Sequence, residues 1–322
     1  LYLNASNKGT TQARVELILE PGEYNLASTI YLPPFTTIRG AGIDKTIIVG
    51  SNQTVFKTVN ETSTPGSYAS DSTSTTLNQA RNISLSDMTI TSTGGAGFEL
   101  VSCKDSFFRN LSITSTYQLG FSEDTNTIGF LMSSLSTGVS SNNNKFENII
   151  VKNFDTAIKS DNDIKNNVWT GCTFDTCRQG VSFGLTTILG TGGMQTGPIN
   201  NSITNSKFDN IYKHAIQIEN GTNNTSSNNK FYSIGNEGGS SLLVAHPVIN
   251  FTDIKNTSTN DWFQRGGELG YDEAYKNGVV YYPEVKGPTI TEFNTTHKLS
   301  VANSGEFSKL FRLPAETGKA YE

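Results

Sequence analysis

A repeat of 23 residues in the middle of the chain restricts its fold more than any other feature. Asn144 to Ile158 (NKFENIIVKNFDTAI) lies over Asn167 to Val181 (NVWTGCTFDTCRQGV) without a gap. Phe146 falls on Trp169, Ile149 on Cys172, Val151 on Phe174, Phe154 on Cys177, and Ala157-Ile158 on Gly180-Val181. A third copy, Asn201 to Ile216, places Ile203, Ser206, Phe208, Ile211 and Ala215-Ile216 on the same positions, with one extra residue before Ala215. Phe108, Leu111 and Ile113 continue the series backwards, and so do Leu85, Met88 and Ile90; a partial copy, NNKFYSIG, begins at Asn228.

Each copy holds short alternating runs, which put first and third side chains on one face of a strand. Asn, Asp and Gly between the runs suit turns. Such a unit is too short to contain a helix with its connections, yet it accommodates three short strands and three turns. It cannot bury its apolar face alone, whereas stacked units share a continuous core. The spacing therefore predicts a parallel β-helix with one copy per coil. The alternative, hairpins in a sandwich, does not require the same inward pattern in register. The Asn pairs Asn143-Asn144, Asn166-Asn167, Asn200-Asn201 and Asn228-Asn229 are read as one recurring turn whose stacked amides form a ladder.

Composition agrees. Asn, Ser and Thr number 33, 34 and 40 of 322 residues, and only 16% are charged. These short polar residues compete with a helical backbone for hydrogen bonds. Disorder is disfavoured by 18 Phe, 12 Tyr and 2 Trp at a net charge of only −5. That charge also argues against a nucleic-acid partner, which calls for basic stripes. No apolar run approaches the roughly 18–20 residues that span a membrane. Cys103, Cys172 and Cys177 form neither a disulfide framework nor a zinc set, and no metal or cofactor is called for.

Three regions follow. Residues 1–80 read as the first coils, with a Ser/Thr-rich loop at 57–80; residues 81–240 hold the regular coils. In 241–322 the repeat fades, and runs such as Val279 to Tyr282 and Ile290 to Phe293 read as antiparallel strands closing the solenoid. With no initial Met and an end at KAYE, the chain reads as a piece of a longer polypeptide.

The run Val15 to Gly42, with its P-G-x-Y step, its apolar-x-apolar-Pro step and I-R-G-x-G, resembles the first coils of pectin-lyase-like right-handed β-helix proteins. These include polysaccharide lyases, glycosidases, and phage tailspikes and tail fibres. The segments FKTVNETSTPG and FSKLFRLPAETGKAYE are similar to virion fibres of marine phages. The resemblance implies a homotrimer of parallel chains in a phage tail, outside the cell. Its partners would be other virion tail proteins and a bacterial surface polysaccharide, attached or sometimes cleaved. Fold alone does not decide among these.

Two sets of residues are candidates for glycan chemistry. Asp175 and Asp209 take one repeat position in consecutive coils, so their carboxylates are expected about 4.8 Å apart on the outer surface. Retaining glycosidases hold two carboxylates about 5–5.5 Å apart. The competing reading makes both solvated surface acids near Lys152. Trp262, Phe263 and Tyr271, together with Tyr117 in another insertion, offer flat rings for sugars; alternatively such rings cover the solenoid end or pack between subunits. Asp161 and Asp163 read as a turn, because calcium takes about six or more oxygens.

Overall fold

The computed structural model describes residues 14–62, 74–118, 124, 126–134, 139–160, 164–184, 197–234, 248–251, 255–263 and 280–281. Among them there is no helix, and every strand pairing is parallel. The chain is a right-handed parallel β-helix. Each coil contributes one strand segment to each of two adjoining faces of a 15-stranded sheet, then crosses to a 9-stranded sheet. A narrow line of bridges, Arg81–Lys104–Asn142 and Lys165–Ile199–Thr222, joined by the pair Asn142 and Lys165, closes the cross-section.

The register matches the repeat position by position. Phe146 pairs with Phe108 and Trp169, Val151 with Ile113 and Phe174, Phe174 with Phe208, and Val181 with Ile158 and Ile216. Like residues therefore stack along the axis. Phe108, Phe146 and Trp169 have successive ring centroids 5.1 and 4.9 Å apart, and Phe174, Phe208 and Phe231 follow at 4.7 and 5.0 Å. All six are buried. A narrow aromatic and aliphatic column thus forms the core, which is why 35% hydrophobic residues suffice.

Asparagine builds the corners in two ways. Asn82, Asp105, Asn143, Asn166, Asn200 and Asn223 have positive φ, the left-handed conformation that Asn and Asp tolerate best among side-chain-bearing residues. The next residue in each coil turns inward. Asn144, Asn167, Asn201, Asn224 and Asn256 are buried, and in the last four the side-chain oxygen accepts from the amide of the Asn one coil before at 2.9–3.0 Å, whereas Asn144 Oδ1 accepts from the Ser106 N–H at 3.1 Å. A second bend separates the two faces of the large sheet, at Asp87, Asn110, Asn148, Gly171, Asn205, Asn228 and Asn260. Gly171, at φ 65°, stands where the other coils use Asn or Asp.

Two expectations are corrected. Asn228-Asn229 belongs to this second bend, because Asn223-Asn224 already occupies the first; Phe231 pairs with Phe208 rather than taking the place of Phe146. The expected antiparallel strand at 279–282 is also not found: Val280–Tyr281 pairs in parallel with Ile249–Phe251, so the coil pattern continues past residue 240. The remaining C-terminal strands proposed from sequence lie outside the described residues. In the 57–80 segment, Phe56–Thr58 is still a strand, and Gln79 is tied back by its amide to the carbonyls of Ser102 and Ser140.

Candidate functional site: a charged and aromatic strip on the outer sheet

The strand segments after the second bend point alternate side chains outward. Pairing places Lys152, Asp175, Asp209 and Tyr232 in one outward row, across four coils. Two residues earlier in each strand, Thr173, Lys207, Lys230 and Trp262 form a second row beside it. One of the candidate rings, Trp262, therefore joins the candidate carboxylates Asp175 and Asp209 in one strip.

Asp175 and Asp209 are direct neighbours across the ladder. Each carboxylate holds an ammonium: Lys152 Nζ lies 3.1 Å from Asp175 Oδ2, and Lys207 Nζ lies 2.8 Å from Asp209 Oδ2. Asp175 Oδ1 also accepts the Thr176 hydroxyl at 2.9 Å. The hydrogen bond to Asp209 raises the Lys207 ammonium above the ordinary lysine value. The same ammonium sits 5.1 Å from the centre of the Tyr232 ring, and that ring is 5.2 Å from Trp262, tilted by 51°. Trp262 is 50% exposed. This is a strip of mixed charges ending in a half-open pair of rings, suited to hydrogen-bonding hydroxyls and stacking on flat apolar faces.

Across the second bend, the other face of the large sheet carries hydroxyls. Ser202 and Thr204, Thr225 and Ser227, and Thr257 and Thr259 flank inward residues in three stacked strands.

The other candidates fall elsewhere. Phe263 pairs with Phe231 in the register. Tyr117 lies at a different corner, where its hydroxyl donates to Asp155 at 3.3 Å. Tyr271, Asp161 and Asp163 lie outside the described residues. Among the described residues no group of three or more His, Cys, Asp or Glu is placed to hold a metal ion. The three thiols are buried, and burial pushes each up to about 12, which makes them poor nucleophiles.

Sequence reasoning missed Tyr232, Lys207 and Lys230. The signal was available in the triplets Lys207-Phe208-Asp209 and Lys230-Phe231-Tyr232, where an inward Phe is bracketed by outward polar residues.

A β-helix whose outer sheet carries such a strip defines a class: an elongated scaffold with a lateral surface. No family model matches the sequence, and no curated protein does. Among solved structures, the catalytic domain of a GH87 alpha-1,3-glucanase in complex with nigerose aligns over 81% of this chain and 44% of its own, at 15% identity and a TM-score of 0.48. The pre-mature gene product 12 of bacteriophage phi29 aligns over 76% of this chain and 37% of its own, at 15% identity and a TM-score of 0.47. Geobacillus virus E2 ORF18 aligns over 80% and 56%, at 11% identity and a TM-score of 0.34. The chain thus spans less than half the length of the first two proteins. At these identities the likeness is one of fold alone.

Proposed function

We propose that this chain is the β-helix part of a bacteriophage tail fibre or tailspike, a homotrimer in the virion, whose outer sheet attaches to a bacterial surface polysaccharide. The observation that carries this reading is the continuous strip from Lys152 to Trp262, in which side chains repeat at the coil spacing of about 4.8 Å. That spacing is close to the length of one sugar unit, so an extended polysaccharide lying along the axis meets an outward polar or aromatic group at every step. Stacked backbone ladders also resist shear and proteolysis, as an extracellular fibre requires.

The test is retention of the 322-residue chain on immobilised host capsule or lipopolysaccharide. Trp262→Ala is expected to weaken retention about tenfold, the loss of a stacked ring worth about 1–3 kcal/mol. Absence of binding to any host glycan or cell sinks the attachment reading. The native mass is expected to be three times 34.9 kDa; a monomer sinks the trimer.

The adjacency of Asp175 and Asp209 favours a second reading, an enzyme that cleaves the glycan. Under the attachment reading no new reducing ends or unsaturated products appear on incubation. If they do appear, and Asp175→Asn or Asp209→Asn abolishes them, the strip is catalytic. Because the two acid side chains are 28% and 34% exposed and their ion pairs reach solvent, each substitution is expected to cost about 1 kcal/mol or less of stability.

A further inference from the structure

The strip also states what charge its ligand should carry. We infer that it takes an anionic glycan, with the acidic group on Lys230 and a sugar ring against Trp262 and Tyr232; this rests on the polysaccharide-binding reading above.

The argument is one of unpaired charge. Lys152 and Lys207 are matched by Asp175 and Asp209. Lys230, exposed and next in the row, has Lys207 on one side and Trp262 on the other. No ion pair or side-chain hydrogen bond engages its ammonium among the described residues. The acid nearest in sequence to Trp262 is not available to it. Asp261 turns its carboxylate to the bend, accepting from the hydroxyls of Ser226 and Ser258 at 2.6 and 2.7 Å and from the Asn229 N–H at 2.8 Å. Among the described residues the strip therefore ends in an uncompensated positive charge beside the rings. A cationic ligand is opposed there by Lys230, and the Tyr232 ring already has the Lys207 ammonium near it. A neutral sugar satisfies the rings but leaves the ammonium to water. An acidic sugar satisfies both. A lone ammonium is a compact point charge that accepts carboxylate or phosphate alike, so the shared feature is the anion.

The experiment compares binding of the 322-residue chain to three immobilised polymers: polygalacturonate, the same polymer after carboxyl reduction, and a glycerol-phosphate teichoic acid. At least one anionic polymer is expected to bind about tenfold more tightly than the carboxyl-reduced one, a difference of about 1.4 kcal/mol. Binding is expected to weaken as salt rises. Lys230→Ala should erase most of the preference and Lys230→Arg should keep it, with folding of both checked by circular dichroism. Preference for polygalacturonate identifies a carboxylate ligand, and preference for the teichoic acid a phosphate ligand. Equal binding to all three, or a preference unchanged in Lys230→Ala, overturns the inference. In that case loss of binding in Trp262→Ala still supports glycan attachment, whereas no binding to any polymer or host glycan overturns both.

Discussion

Replacing Asn167 by alanine is expected to lower the stability of the protein by about 4 kcal/mol, the loss of some four buried hydrogen bonds at about 1 kcal/mol each. Asn167 is fully buried between two coils. Its side-chain oxygen accepts from the backbone N–H and the amide of Asn144, at 3.1 and 2.9 Å. Its own amide donates to Asn201 Oδ1 and to the Ser141 carbonyl, both at 3.0 Å. Alanine leaves these partners facing a dry cavity. Aspartate has nearly the same shape but no hydrogen to give, so its carboxylate would confront the Asn201 oxygen and the Ser141 carbonyl. Asn167→Asp is expected to cost more than Asn167→Ala at neutral pH and to recover partly in acid, as the carboxyl protonates and regains a donor. Asn200, one corner residue further, is the control. It has φ 55° and its amide makes only an exposed contact to Asn166 at 3.2 Å. Asn200→Gly is expected to be nearly neutral, since glycine accepts that conformation. Thermal and denaturant unfolding of the four proteins checks the order. If Asn167→Ala unfolds with Asn200→Gly, the ladder contributes little.

How much of this was legible depended on which physical constraint each residue answers to. The stacking of Phe146 on Trp169 and of Phe174 on Phe208 was readable because a shared core forces like residues to recur at fixed spacing. The Asn-Asn pairs were readable for a related reason: one Asn tolerates positive φ and the next supplies the ladder. The same chemistry misled at residues 223–229. There NN occurs twice, five residues apart, and both bends of the coil accept it. Only the pairing of Phe231 with Phe208 separates the two. That five-residue difference hid the candidate strip, since it alone brings Tyr232 beside Asp209 and Trp262 beside Lys230. The adjacency of Asp175 and Asp209 was visible, because both follow a core Phe; the lysine on each was only half visible, as Lys152 but not Lys207. Nothing in the local sequence marks a buried charge, so Asp155 and Arg178 passed unnoticed.

Breaking that buried pair should have the other large effect. Asp155 and Arg178 are 1% and 2% exposed, one coil apart at the corner between the large sheet and the 9-stranded sheet. Arg178 makes a two-pronged contact, Nε to Asp155 Oδ1 at 2.5 Å and a terminal nitrogen to Oδ2 at 2.9 Å. The Tyr117 hydroxyl and the Asp124 N–H donate to the same carboxylate, at 3.3 and 3.0 Å, so the pair holds Tyr117 and Asp124 to the coil. Burial pushes the Asp155 carboxyl upward and is the largest single influence; the hydrogen bonds from Arg178 and the Asp124 N–H, with the charge of Arg178, outweigh it and leave the group below the usual carboxylate range. The sign for stability follows. A carboxyl whose folded pKa lies below its unfolded value contributes fully above the unfolded value, and that contribution is lost as pH falls through the folded one. The pair therefore supports the fold at neutral pH and fails in acid, below about pH 4. Arg178→Met strands a buried carboxylate and is expected to cost about 3–5 kcal/mol at pH 7; Asp155→Leu strands the guanidinium at similar cost. The double variant Asp155→Leu/Arg178→Met is expected to be more stable than either, because neither charge remains. Its stability should also fall less between pH 5 and pH 3 than that of the unaltered chain. Amide exchange at Asp124, whose N–H the Asp155 carboxylate holds, should quicken in all three, since each loses the arrangement that holds Tyr117 and Asp124. A cost below about 1 kcal/mol for Arg178→Met, or an unchanged acid response in the double variant, would show that the pair is not what secures this corner.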